Sequence, residues 1–256
     1  MTLTLVACSH GTRSPAGRAV IARIRAALAR ALPEAAVREA YVDVEQPEVA
    51  EVVVRAAARG PVIVVPLLLS TGFHTVVDIA AAVRPHSAAS AAAPLGPHPL
   101  LVAALRERLA AVSAGDAGHR PGDHVVLAAA GSSDPAAARA VEHMRDLLAA
   151  RLPCPVSIGY GAGCAPSIAE AVAAARDAGA HRVIAASYVL APGHFAGLID
   201  AAGADLVSAP LGDHPAVIRV AAQRVREAQA ELSAPGTAVT SRAPADQSTG
   251  ASVGAR

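Results

Sequence analysis

Three blocks of this chain recur in the same order at nearly constant spacing, and that duplication constrains the fold more than any single motif does. Gly11 and Pro15 return 120 residues later as Gly131 and Pro135. Gly72-Phe73-His74 is echoed by Gly193-His194-Phe195, with His74 and His194 again 120 apart. Pro94-Leu95-Gly96-Pro97-His98-Pro99 returns as Pro210-Leu211-Gly212-Asp213-His214-Pro215 at an offset of 116. One such match arises by chance, but three in order argue for two copies of one structural unit.

Within each copy, short apolar runs alternate with helical patterns. Leu3–Cys8, Val37–Val44 and Val62–Leu69 read as strands, with a weaker strand near Ala88–Ala93. Val20, Ile24, Leu28 and Leu32 repeat every four residues after Pro15, which predicts an amphipathic helix. Helices are also expected over Pro47–Ala58, Thr75–Val83 and Pro99–Val112. The second copy predicts strands at His124–Ala130, Val156–Tyr160, Arg182–Tyr188 and Asp205–Ala209. Strands alternating with helices predict an α/β fold of two similar domains, each a small parallel sheet flanked by helices. The expected boundaries are residues 1–115, 122–232 and a Ser/Pro/Gly-rich tail, 233–256, with Ser113–Asp123 as the linker.

Composition removes several function classes. The formal net charge is +1, with no basic tract, so no nucleic-acid partner is expected. All 22 basic residues are arginine, which excludes chemistry that needs a side-chain amine. Cys8, Cys154 and Cys164 form no CxxC pair, as expected of a reducing compartment without a disulfide framework. The longest aliphatic run, Val62–Leu69, is interrupted by Pro66 and too short to span a bilayer. The expectation is a cytoplasmic protein with no membrane partner.

In parallel sheets, ligands bind outside the carboxyl ends of the strands. That rule selects His10 after the first strand, Asp43 and Glu45 at the end of the second, and Ser70, Thr71, Gly72, Phe73 and His74 after the third. Imidazoles bind borderline divalent ions and accept protons near neutral pH. Asp43 could ligate an ion, take a proton, or simply face solvent. Gly11-Thr12-Arg13-Ser14 opens a helix, where an anion is favoured and Arg13 can clamp a carboxylate. Phe73 is the best candidate for an apolar wall, while Tyr41 and Tyr188 read as core. His98 and His214 sit in repeated Gly-x-His-Pro turns suited to starting a helix.

These residues resemble a known family. Ser9-His10-Gly11-Thr12-Arg13 is similar to the turn that opens the class II sirohydrochlorin chelatases. Tyr41-Val42-Asp43-Val44-Glu45-Gln46-Pro47 resembles that family's second-strand segment. Val65-Pro66-Leu67-Leu68-Leu69 followed by His74 and Asp78-Ile79 resembles its third block. The duplication fits the two-domain bacterial form. The resemblance implies a lyase that inserts Fe2+ or Co2+ into sirohydrochlorin for siroheme or cobalamin, with Ni2+ chemically admissible and no organic cofactor. It implies that His10 and His74 bind metal and take protons, and that the position of Asp43 supplies a carboxylate, where many members have glutamate. Arg13, Thr12 and the 70–73 turn would hold the substrate.

The second copy carries Ala130 where the first has His10, and Ser133 where it has Arg13. It is expected to wall the cleft rather than insert metal, in place of the second subunit that one-domain relatives recruit, so a monomer would suffice. Two rival readings remain open. One is a non-catalytic tetrapyrrole or metal carrier. The other is a histidine phosphatase, weakened by Ser9 standing where a phosphate-holding arginine would be.

Overall fold

The computed structural model describes residues 2–70, 72–113, 120 and 122–233, and for residues 73–76 the backbone alone. Most of the expected linker, and the expected tail from residue 234 on, lie outside the described residues.

The first half runs β1 (Thr4–Ser9), α1 (Pro15–Ala31), β2 (Ala36–Tyr41), α2 (Val49–Ala57), β3 (Val62–Pro66), α3 (Phe73–Val83), β4 (Ala89–Ala91) and α4 (Pro99–Ser113). The second repeats the plan as β5 (Asp123–Ala129), α5 (Pro135–Ala149), β6 (Val156–Tyr160), α6 (Ile168–Asp177), β7 (Arg182–Tyr188), α7 (His194–Asp200), β8 (Leu206–Val207) and α8 (Pro215–Ser233). Each half builds a four-stranded sheet, ordered β2-β1-β3-β4 and β6-β5-β7-β8. Every pairing is parallel. The α/β architecture expected from the alternating pattern is therefore the observed one.

Burial follows sheet position. Strands β1 and β3 are central, and β3 is buried at all five positions, as a strand covered on both faces must be. Edge strand β2 is buried only at Ala40. Successive side chains on β1 and β3 face opposite ways. Leu5, Ala7, Ile63 and Val65 join the large core between the sheets. Val6, Cys8, Val62 and Val64 join a smaller core under α2 and α3.

The helix starts follow from local chemistry. Ser14 caps α1, accepting from Gly17 N at 3.2 Å, with Pro15 in the first turn. Asp134 does the same for α5 through Ala136 N at 2.8 Å. His98 Nδ1 accepts from Leu100 N, and His214 Nδ1 from Ala216 N, each at 3.1 Å, so the repeated Gly-x-His-Pro turns do start helices.

The halves are not packed independently. Helix α4 packs on β7 and β8 of the second sheet, while α8 packs on β3 and β4 of the first. One core cluster draws on both sheets and on α1, α4, α5 and α8. Arg108 donates to Leu211 O at 3.0 Å, Arg224 to Pro94 O at 2.9 Å and the buried Tyr188 hydroxyl to Leu69 O at 3.2 Å. No described helix is long and apolar enough to cross a membrane.

Candidate functional site

The order β2-β1-β3-β4 places a reversal of strand order between β1 and β3. Crevices at such a switch point, outside the carboxyl ends of the strands, are where open α/β sheets bind ligands. His10 follows β1 directly, and His74 is the second residue of α3, the helix that follows β3. The pairing of Cys8 with Pro66 aligns the ends of these two strands, and Leu67 N donates to Cys8 O at 2.7 Å just beyond.

The turn carrying His10 is built by contacts distant in sequence. Gly11 has φ +95°, and a Cβ there would meet Asp43 O at 2.7 Å, so the turn requires glycine. Thr12 N donates to Glu45 Oε1 at 2.8 Å, and the other oxygen of Glu45 pairs with Arg18 Nε at 2.8 Å. Arg18 also donates to Thr12 O at 3.0 Å. The carboxylate of Glu45 is therefore committed to holding the turn, and its side chain is only 13% exposed. The strand-end rule places Glu45 on this rim, and no sequence pattern marks Arg18 as its partner. Only the spatial contact shows that both fasten the His10 turn.

Asp43 is brought to His10 by its backbone, since Asp43 N donates to His10 O at 3.1 Å. Both residues are exposed on the rim. One oxygen of Asp43 accepts from Val44 N at 2.7 Å and closes a tight turn in which Val44 takes φ +53°. Arg13 is exposed, and no ion pair engages its side chain among the described residues. Burial pushes the Cys8 thiol up to about 12, which favours the neutral thiol of a core residue. The Tyr41 hydroxyl is raised by burial first and by Glu39 and Glu45 next, and Tyr188 is raised by complete burial, in keeping with structural roles for both.

Ser70 and Gly72 are half-buried in the turn from β3 to α3, with Gly72 at the helix cap. Thr71 and the side chains of Phe73 and His74 lie outside the described residues. Among the described residues no three His, Cys, Asp or Glu side chains converge on one point. Two cavities, of about 720 Å³ between α1 and α8 and about 360 Å³ beside Pro66 and Leu68, contain neither His10 nor Asp43. The chemistry-bearing groups stand instead on the open rim.

The second rim is the degenerate copy of the first. Gly161 N and Ala162 N donate to Ala129 O and Ala130 O, just as Val42 N and Asp43 N donate to Ser9 O and His10 O. Where Glu45 clamps the first turn, Cys164 Sγ approaches Ser132 O at 2.8 Å. The ring of Phe195 lies over Gly161, where an added Cβ would stand 2.8 Å from it and 3.2 Å from Ala130 O. The histidine echo also shifts. Helices α3 and α7 start 121 residues apart, so His194 takes the first helical position, which in α3 belongs to Phe73. The buried Ile79 and Ile199, 120 apart, restore the offset a turn later. The turns of the two halves meet, because a Cβ on Gly17 would stand 2.5 Å from Pro192 O, and one on Gly193 would stand 3.4 Å from Thr12 Oγ1.

Comparison with known proteins agrees with this duplicated plan. SirB from Bacillus subtilis with Fe3+ superposes with a TM-score of 0.75 at 22% identity, covering 90% of this chain and 97% of that one. SirB from Bacillus subtilis subspecies spizizenii in complex with cobalt gives 0.67 at 22% identity, covering 90% and 96%. CbiX, described as the terminal enzyme for biosynthesis of siroheme in denitrifying bacteria, gives 0.61 at 22% identity, covering 89% and 99%. At these identities the likeness establishes the fold. No curated protein matches significantly. The CbiX family model, by contrast, matches residues 4–112 and again residues 124–228, once on each half, and the chain belongs to the CbiX family.

Proposed function

We propose that this chain is a sirohydrochlorin chelatase, a lyase that inserts Fe2+ or Co2+ into the tetrapyrrole in siroheme or cobalamin biosynthesis. One observation carries the reading. His10 and the first turn of α3, which bears His74, follow the two neighbouring strands between which the strand order reverses. The family membership and the metals bound to the two SirB structures support it.

The chemistry asks for two abilities at one place. The ion must be held and partly dehydrated, and two pyrrole N–H protons must leave as two metal–nitrogen bonds form. Neutral imidazole can do both, as a ligand for borderline ions and as a proton acceptor near neutral pH. His10 and His74 take these roles, with Asp43 as a third ligand, directly or through water, or as a proton acceptor. A site with few protein ligands releases its ion onward, whereas a closed four-ligand site retains it. Arg13, Thr12 and the Ser70–Phe73 turn hold the macrocycle's carboxylates and face. The second half walls the cleft. All three cysteines are free thiols, which suits a reducing cytoplasm.

The test is anaerobic incubation with sirohydrochlorin and either Fe2+ or Co2+, followed by absorbance. Many product equivalents per chain are expected. His10→Ala and His74→Ala, each still folded, should lose about a hundredfold or more of that rate. Product that stops at one equivalent per chain would identify a carrier, and unimpaired histidine variants would remove the assigned roles.

A further inference from the structure

We propose that His194, from the second half, is a substrate-binding residue that takes a carboxylate of the macrocycle from the wall facing Thr12. The proposal rests on the chelatase reading and extends it to a residue whose own half lacks the other site groups.

Three contacts locate His194. The preceding residues lie against the first rim, with Pro192 O on Gly17 and Gly193 beside Thr12 Oγ1. The following residue lies on the second rim, where the Phe195 ring packs over Gly161 next to Ala130 O. The His194 ring is itself braced edge-on against Phe195, with centroids 5.3 Å apart and planes at 61°. His194 therefore stands between the two rims, fixed by a neighbour on each side. It is exposed, and no hydrogen bond or ion pair engages its ring among the described residues.

An exposed imidazole standing between the two rims, with both nitrogens uncommitted among the described residues, is suited to a ligand edge rather than to the fold. The macrocycle's edge is ringed with carboxylates, and its metal must reach the His10 side. Thr12 and Arg13 hold one edge from the first half, and His194 meets another through a charge-assisted N–H···O bond. Phe195 supplies an apolar surface beside it. No metal or proton role is required of His194, so the missing partner histidine at Ala130 is no objection.

The experiment titrates metal-free sirohydrochlorin by its fluorescence, then measures insertion kinetics on the same proteins. His194→Ala should weaken binding and raise KM about tenfold, the loss of one hydrogen bond to a charged group, with kcat changed by about twofold or less. His194→Arg should recover most of the affinity, because it restores an N–H donor to the carboxylate. His143→Ala, on the exposed face of α5, should behave as wild type. Wild-type binding by His194→Ala overturns the proposal. So does a fall in kcat at unchanged KM, or a loss that arginine fails to recover, since each would mean that the ring acts by shaping α7. A wild-type protein that neither binds nor metallates the probe would overturn the chelatase reading, and this proposal with it.

Discussion

The hydroxyl of Ser9 is buried, 4% exposed, and without a hydrogen-bond partner among the described residues, directly beside His10. A buried unpaired hydroxyl costs about 1–3 kcal/mol, and the second half has Ala129 at the matching place. Ser9→Ala should therefore leave stability unchanged or raise it by about 1 kcal/mol, read as the urea midpoint. A clear loss would show that the substrate-side turn supplies a partner. Glu45 is the opposite case, since both of its oxygens are engaged. Glu45→Ala frees Thr12 N and Arg18, and the His10 turn loosens. Misplacing a reacting group by about 1 Å costs up to about a hundredfold, so kcat should fall about tenfold or more with the fold retained. The place of His10 and Asp43 at strand ends was legible because strand ends can be read from apolar runs. The Glu45 clamp was not, because it joins residues 33 apart that show no pattern in common. The histidine echo misled for a related reason. Gly-Phe-His and Gly-His-Phe look alike at an offset of 120, whereas β3 and β7 set against β1 and β5 run at 121.

Elements were legible where apolar periodicity and caps agree, as in α1, whose buried Val20, Ile24 and Leu28 keep the expected stripe. Boundaries failed where backbone geometry overrules side-chain type. Val42 and Val44 favour a strand, yet β2 ends at Tyr41 because the chain turns back through Asp43, with Val44 in a left-handed conformation. Strand β3 stops at Pro66, short of the expected Leu69; proline has no N–H to donate on the β4 side, although Leu67 N still reaches Cys8 O. The backbone contact of the second half with Gly17 was not legible. Gly17 lies on the buried stripe of α1, and only the fold shows why it is glycine: Pro192 O occupies the space of a Cβ, and backbone cannot yield as a side chain can. Gly17→Ala should cost about 1–3 kcal/mol by overpacking. In a chain of this size each kcal/mol lowers Tm by about 2–4 °C, so a fall of several degrees is expected in calorimetry. An unchanged Tm would mean that the Pro192 turn yields freely.

Across the whole molecule, half-buried histidines and exchanged helices set how the fold responds to acid and heat. His98 is lowered by burial first and by the Arg224 guanidinium second, and His124 is lowered by burial. The folded chain thus binds protons less readily than the unfolded chain, whose histidines titrate near about 6.5. Their stabilising share is present above that value and is lost as pH falls through it toward the lower native values. Tm should drop between pH 7.5 and 5.5, and less steeply in a variant combining His98→Asn, which keeps a capping side chain, with His124→Gln. A parallel drop would assign the acid sensitivity elsewhere. The repeat divides the chain into two similar halves, and the packing ties them together, because α4 covers part of the second sheet, α8 covers part of the first, and one core draws on both. Melting one half would strip a layer from the other, so neither sheet has an intermediate state that keeps its core covered. Calorimetry should show a single transition, with calorimetric and van't Hoff enthalpies equal. Two resolved transitions would mean that each half can fold its own last helix back onto its own sheet.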